Sequence, residues 1–531
     1  MKYEGSYEEF VSPRHRLLRL LTAGIVAAAT LAIFGRAAGF DFLLWDDDIQ
    51  LTSNPTLRKL DGVTALRMFT HGYAIRYQPL SWLSSALIAR VGGLDPIWFH
   101  TYNIVLHAFS AVLLAALIRW FVLRAGFARE SDFGAALLAP AFGALVWALH
   151  PLRVEPVVWA TGWRYCQSVV LMLTSALCYV RAVGRRPEGA IRTAAYWLSV
   201  FSFLLSALSY PFCLEWPLVL AVLDVYPLRR WRARGVWLEK LPFVAISAFV
   251  LAISVAIRVT TDVANYLPAT LVECGLVTRI MKAFVVWANA ILRTCFPIGL
   301  RPVYIELTSF DPTSARPIAS ATVLVGITLF LVRIRRAYPI LLALWLAHLA
   351  LLGAKLGLLE AGYVDADRYT YPAGVAWAAV ATCGFLGFGR TRWGRVLRLP
   401  LALALLTILA VMSVRQTAIW RNNITFFQAS LPTLGNTGFR DDMLWRLALA
   451  YWREGDLHRA LPLLDEAVVR RPDDLRVRLM RSGLLQRLGR IQDAYHEMSE
   501  AMRLTGAKTP QEAIQKMSEF VKLPSDSKTA R

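Results

Sequence analysis

The chain alternates long apolar runs with short polar segments, and the runs have membrane length. A spanning helix needs about 20 consecutive apolar residues. Such runs occur near 18–38, 99–122, 133–149, 165–181, 192–209, 211–226, 240–259, 317–334, 338–357, 370–388 and 398–414. The pattern predicts eleven spanning helices. The stretch 279–297 is apolar in outline but carries Arg279, Lys282, Asn289 and Arg293, so it reads as interfacial or re-entrant. The first run is longer than a signal-peptide core and ten more follow it, which makes it an uncleaved anchor.

After Trp420 the apolar runs stop and helix-period amphipathic segments begin. Between about 440 and 507 the chain repeats at 34 residues: Gly455 recurs as Gly489, Ala460 as Ala494 and Ala467 as Ala501. With Leu444, Leu447, Ala448, Tyr451, Leu464 and Pro472, these match most of the tetratricopeptide pattern. Arg478 and Arg481 stand in the second copy where apolar residues are expected. Two repeats are fewer than the usual minimum of about three. They would lean on the membrane domain or on partner chains, as a structural cap or a peptide-binding face. The layout is a cytoplasmic N-terminus (1–17), a membrane domain (18–417) with a first external loop at about 39–98, a linker (418–439), the repeats (440–507) and a tail (508–531).

Composition agrees. Of 531 residues, 56% are hydrophobic and 18% charged, where a soluble domain carries about 25% charged. Disordered, collagenous and small disulfide-rich classes are excluded. The net charge of +21 would ordinarily suggest nucleic acid, but its distribution records orientation instead. Arg14, Arg16 and Arg19, then Arg119, Arg124 and Arg129, then Arg181, Arg185, Arg186 and Arg192, open one set of loops. The set continues with Arg229, Arg230, Arg232 and Arg234, Arg333, Arg335 and Arg336, and Arg390, Arg392, Arg395 and Arg398. Short basic loops stay in the cytoplasm. The N-terminus is then inside, the C-terminal repeats are outside, and no acidic partner is called for. The six cysteines fall mostly in or near spans as small apolar packing residues. Cys274 and Cys295 share the external side, where pairing is open.

The opposite set of loops holds the scarce acids. The first external loop begins Phe42-Leu43-Leu44-Trp45-Asp46-Asp47-Asp48. Successive carboxylates raise one another's pKa, which suits a general base or a cation grip; a solvated turn is the plain alternative. Two further clusters lie on the same side: His150-Pro151-Leu152-Arg153-Val154-Glu155, followed by Trp163-Arg164, and Asp365-Ala366-Asp367-Arg368-Tyr369. Ionisable groups at a membrane boundary are costly unless paired or functional. Arg164 and Arg368 match a phosphate bidentately, although either alone reads equally as a snorkelling side chain. Polar residues gather at one boundary and not at mid-membrane, which argues against a transporter.

These motifs resemble those of the bacterial, tetratricopeptide-bearing relatives of the transmembrane O-mannosyltransferases, in the GT-C glycosyltransferase superfamily. The resemblance rests on Trp45–Asp48 with Asn54-Pro55, Tyr77–Leu80, Gly93–Pro96 with His100, Asn103 and Leu106-His107, His150–Glu155, Leu223–Leu228 and Asp367–Tyr371. It implies an all-α polytopic GT-C fold with a C-terminal tetratricopeptide-like α-solenoid. The implied activity is inverting transfer from a polyprenyl-phosphate sugar, mannose by family default, to an external acceptor hydroxyl. In such enzymes a first-loop acid activates the acceptor, here Asp46 or, second, Asp47. Arg164 and Arg368 would hold the lipid phosphate. Asp48, His150, Arg153, Glu155, Asp367 and Tyr369 would shape the acceptor or sugar pocket. The scheme requires no metal or other cofactor, although Asp46–Asp48 could hold one.

Two positions depart from the family pattern: Arg164-Tyr165-Cys166 replaces the usual Arg-x-Asp, and Ser209-Tyr210-Pro211 the usual Ser-Lys-Pro. An acid and a base are missing together, which puts the donor in question. The acceptor expected is a protein Ser/Thr, favoured by the external repeats; a lipid-linked or envelope glycan is the variant. A degenerate scaffold acting through repeat-bound protein partners is the non-enzymatic alternative. The location expected is a bacterial inner membrane, with the active site and repeats periplasmic.

Overall fold

The computed structural model describes residues 13–520 except 75, 130–131, 133, 188, 261–274, 308–309 and 357–364. Among them every regular element is helical, with one isolated bridge between Tyr73 and Arg76. Cys274, and so its pairing with Cys295, lies outside the described residues. The chain divides into two compact units: Met1–Phe40, Pro55–Leu300 and Ile305–Thr417 form one, Asp41–Asn54, Arg301–Tyr304 and Ala418–Arg531 the other.

In the first unit, seven helices among the described residues are long and apolar enough to cross a membrane: Arg16–Gly39, Pro96–Arg124, Ala160–Arg185, Gly235–Thr260, Ala315–Ile334, Asp367–Phe388 and Arg392–Trp420. (The last runs three residues past the unit's boundary.) The protein is an all-α polytopic membrane protein. The run expected near 133–149 is a bent pair, Ala136–Ala148 and Pro151–Val158, with a 61° angle between its halves. Three other expected spans are shorter helices, Ala194–Ser209, Trp216–Val225 and Pro339–Leu351. The ten-residue Trp216–Val225 helix rises about 15 Å, half of a bilayer core of about 30 Å.

Leu276–Cys295, expected as interfacial or re-entrant, is one continuous helix. Its stripe of Arg279, Lys282 and Asn289 is buried, while Leu276, Val277, Ile280 and Leu292 are exposed. The polar side faces inward because ions in an apolar setting are stable only among partners.

Small polar residues lock the helices that carry the site. Ser168 and Ser175 on Trp163–Arg185 are one heptad apart, as are Ser199 and Ser206 on the antiparallel Ala194–Ser209 helix. Ser168 and Ser206 hydroxyls lie 3.0 Å apart, as do those of Ser175 and Ser199. Each Ala194–Ser209 serine also donates to its partner's carbonyl, at 2.7 and 2.8 Å. Small side chains let the backbones approach, and hydroxyls hold them there. Gly143 does the same for Ala139–Ala148 against Thr370–Phe388: a Cβ there would lie 2.0 Å from Thr382 Oγ1 and 2.4 Å from the Ala378 carbonyl.

The second unit pairs its tail helices into hairpins: Gly438–Arg453 with Leu457–Arg470, and Leu475–Arg487 with Ile491–Thr505. Gly455 and Gly489, 34 positions apart, turn the two corners at φ 82° and 77°. That left-handed region is open to glycine without steric cost. Ala460, Ala467, Ala494 and Ala501 are buried, where their small side chains permit close packing. Arg478 and Arg481, which break the apolar pattern, both pair with the buried carboxylate of Glu497, and Arg481 also with Asp465 at 2.7 Å. A shared acid replaces the missing apolar contact.

Candidate active site

The bend in the first unit comes from a broken helix whose freed backbone groups are met by side chains. His107 Nε2 lies 3.0 Å from the Ala148 carbonyl, and Ser413 Oγ donates to Leu149 O at 2.8 Å. Asn103 Nδ2 donates to Trp159 O at 2.7 Å and Ala160 O at 3.3 Å. Irregular backbone at membrane depth requires such partners, and Asn103 and His107, one turn apart, supply them. Asn103 and His107 of the His…Asn…His motif therefore build the platform under the site.

On that platform two arginines converge. The Arg164 guanidinium is fully buried, 5.3 Å from the Trp159 ring centroid, 5.1 Å from Tyr165 and 5.5 Å from Tyr210. The Arg368 guanidinium lies 5.6 Å from the same Trp159, 6.0 Å from Tyr165 and 4.9 Å from Tyr369. The serine-paired helices set this geometry, because Arg164 is one turn before Ser168 and Tyr210 directly follows Ser209. Tyr210 also lies in the field of Arg76 and Arg258, so four arginines act on one ring. Two cations over shared aromatic faces, Arg164 and Arg368, are suited to an anion carrying several oxygens.

Glu155 orients Arg368. Its Oε2 accepts the Arg368 backbone amide at 2.7 Å, and Oε1 pairs with the guanidinium. Asp367 lies 3.5 Å from Arg293, which also reaches Asp365 at 2.7 Å. Asn289 donates to Asp365 at 3.2 Å. His150 accepts from the Leu152 amide at Nδ1, 3.2 Å, and its Nε2 lies 3.0 Å from Thr294 O, which selects the Nε2–H tautomer. Arg153 donates to Thr370 O at 2.9 Å and to Thr370 Oγ1 at 3.1 Å. Arg153 thus fixes the break against the Asp367–Tyr371 segment, and His150 ties it to Thr294.

The clusters at 150–155 and 365–369 and Arg164 therefore meet within one unit. Sequence reasoning missed Arg76, Arg258, Arg293, Trp159, Tyr165 and Tyr210. Arg293 alone had a local signal, as the continuation of the 279, 282, 289 polar stripe. At the two departures from the family pattern, the Cys166 thiol donates to Pro156 O at 3.3 Å, and Tyr210 packs edge-on to Tyr165 at 5.0 Å.

Asp46–Asp48 belong to the second unit. Asp46 has φ 67°, a left-handed conformation uncommon for a non-glycine residue and concentrated at functional sites. Asp47 is buried and accepts the Leu43 amide at 2.8 Å, closing the loop on itself. Asp48 lies 3.7 Å from Arg446. Burial pushes the Asp48 carboxyl above its ordinary range and the Asp46 charge adds to that, against the pull of Arg446. Among the described residues, no group of three or more His, Cys, Asp or Glu side chains could hold a metal ion.

No family model matches the chain. It is 26% identical over 192 residues to human protein O-mannosyl-transferase TMTC4, covering 34% of this chain and 26% of the relative. It is 26% identical over 186 residues to mouse TMTC1, covering 33% and 18%, and 28% identical over 186 residues to mouse TMTC2, covering 33% and 20%. The chain spans about a quarter or less of the length of the curated relatives it matches. Over a third of its length, this multi-pass membrane chain resembles the protein O-mannosyl-transferases TMTC1 to TMTC4.

Proposed function

We propose that the protein is an integral-membrane inverting glycosyltransferase of GT-C type. It moves a sugar, mannose by analogy with its relatives' names, from a polyprenyl-phosphate donor to protein Ser/Thr hydroxyls. The reaction takes place on the external face of a bacterial inner membrane, with the N-terminus cytoplasmic. The observation that carries the donor half is the pair Arg164 and Arg368 sharing the rings of Trp159 and Tyr165.

The chemistry follows from the leaving group. As the bond between the anomeric carbon and the phosphate oxygen breaks, negative charge grows on the phosphate. Preorganised guanidinium groups stabilise that charge without reorganising. The acceptor oxygen bonds to the opposite face of the anomeric carbon and gives up its proton, and polyprenyl phosphate leaves. Asp46 takes the proton as general base. Its half-buried side chain and left-handed backbone favour it over Asp47, whose carboxylate serves the loop. Glu155 positions Arg368, and Asp367 and Tyr369 flank it. No metal enters the scheme. The paired tail helices are read as tetratricopeptide-like repeats on the same external side.

The test uses membranes containing the full chain, a polyprenyl-phosphate mannose and a Ser/Thr-rich peptide, read by intact mass. A hexose-sized gain, lost in Asp46→Asn, is the expected result. Unaltered glycosylation by an Asp46→Asn/Asp47→Asn double variant would sink the proposal.

A further inference from the structure

Arg446, on the first tail helix Gly438–Arg453, grips the acidic loop on both flanks of Asp46. It donates through Nη1 to the Leu44 carbonyl at 2.5 Å, two residues before, and faces the Asp48 carboxylate at 3.7 Å, two residues after. The residue between these anchors is the one with φ 67°. A left-handed non-glycine residue is strained and persists only where its surroundings over-determine it. Three further tail contacts supply that constraint. Asn423 Oδ1 accepts the Leu44 amide at 2.6 Å while its Nδ2 donates to Phe42 O at 3.2 Å, and the Trp45 ring lies 5.8 Å from Phe426.

Arg446 is itself held from the tail side. Asp442 accepts its Nε at 2.8 Å and lies 3.8 Å from Arg476, which pairs with Asp474 at 2.7 Å. The two arginines share the Trp445 ring, 4.9 Å from Arg446 and 5.1 Å from Arg476. Alternating charges thus run Asp48, Arg446, Asp442, Arg476, Asp474, from the loop to the N-cap of the second hairpin. A surface ion pair alone contributes little; a chain with a backbone hydrogen bond at its end fixes a conformation.

We propose that Arg446 is a positioning residue for the acidic loop, so that the tail hairpins form part of the transferase's working structure and not only a docking appendage. The catalytic half of this inference rests on the proposed role of Asp46. The structural half does not.

The experiment compares Arg446→Met with wild type in the full-length protein in detergent or nanodiscs. The first readout is hydrogen exchange of the 41–54 amides. The second is transfer kinetics with polyprenyl-phosphate mannose and peptide. Exchange at Leu43 and Leu44 is expected to rise, and kcat to fall about tenfold to a hundredfold, the scale of a misplaced catalytic group, with donor KM within about twofold. Arg446→Lys keeps the charge toward Asp48 but not the planar fork, and should fall between the two. Should Arg446→Met fail to fold, Asn423→Ala removes the neighbouring anchor and should produce the same loosening. Unchanged exchange across 41–54 in the Arg446 variants overturns the proposal. Raised exchange in a preparation whose wild type transfers no sugar supports the positioning role and removes only the transferase reading.

Discussion

Glu155 and Arg368, 213 positions apart, form a two-point contact in which one carboxylate takes both the backbone amide and the guanidinium. Removing one member of a buried pair leaves an uncompensated charge and costs about 3–5 kcal/mol. Glu155→Ala should therefore lower the thermal stability of the detergent-solubilised protein sharply. The Glu155→Ala/Arg368→Ala double variant should lose less than the sum of the singles, because the stranded cation is gone. Additive losses would mean that the two side chains act independently.

Arg164 is surrounded by three aromatic rings, a setting that suits a flat cation. Arg164→Lys keeps the charge and loses the planar stacking and fork geometry. The donor KM should rise about tenfold, the equivalent of a desolvated cation–π contact of about 1–2 kcal/mol, with less effect on acceptor KM. Titration of lipid donor against fixed peptide measures it. An equal rise in both KM values would locate Arg164 outside the donor's binding.

Close helix approach at Gly143 gives a third test. A methyl group there would overlap Thr382 Oγ1 and the Ala378 carbonyl. Gly143→Ala should cost about 1–3 kcal/mol through overpacking, and Gly143→Val more. Restored folding in a Gly143→Ala/Thr382→Ala variant would show the clash to be with the threonine, while the carbonyl contact predicts only partial rescue. Melting of purified protein distinguishes the two.

Asp474 predicts a pH dependence in the tail. Burial by itself would raise its carboxyl. The Arg476 guanidinium and the amides of Arg476 and Val477 outweigh that and hold it below the usual value of 3.8. A depressed acid contributes stability that is present above its unfolded pKa and lost as pH falls through the folded one. Asp474→Asn should therefore destabilise the 470–487 segment at pH 7, and the difference from wild type should shrink once the pH falls below 3.8. Hydrogen exchange of that segment as a function of pH reads it; a constant difference down to the acid limit would contradict the assignment.

Much of the architecture is legible locally. Apolar run length marks the long helices, and the Gly455/Gly489 spacing marks the hairpin corners, because both depend on short-range backbone geometry. Runs that are apolar all round, such as 211–226, are ambiguous: hydrophobicity does not separate a spanning helix from the short, packed Trp216–Val225 helix. The stripe at 279, 282 and 289 is visible in sequence, but not that it faces inward, since its partners come from distant segments, as Asp365 does to Asn289 from 76 residues away.

The sequence by itself determined that this is a helical membrane protein with a paired-helix tail. It also showed that its outlying acids and arginines are the residues to examine, because composition and periodicity are properties of neighbours along the chain. Only the tertiary structure decided how those residues divide their work. It set Arg164 and Arg368 over the same two rings, spent Asp47 on the Leu43 amide and left Asp46 in a left-handed conformation. It also brought Arg446 to the carbonyl of Leu44, 402 positions away. Such pairings follow from packing between distant helices, and no local pattern encodes them.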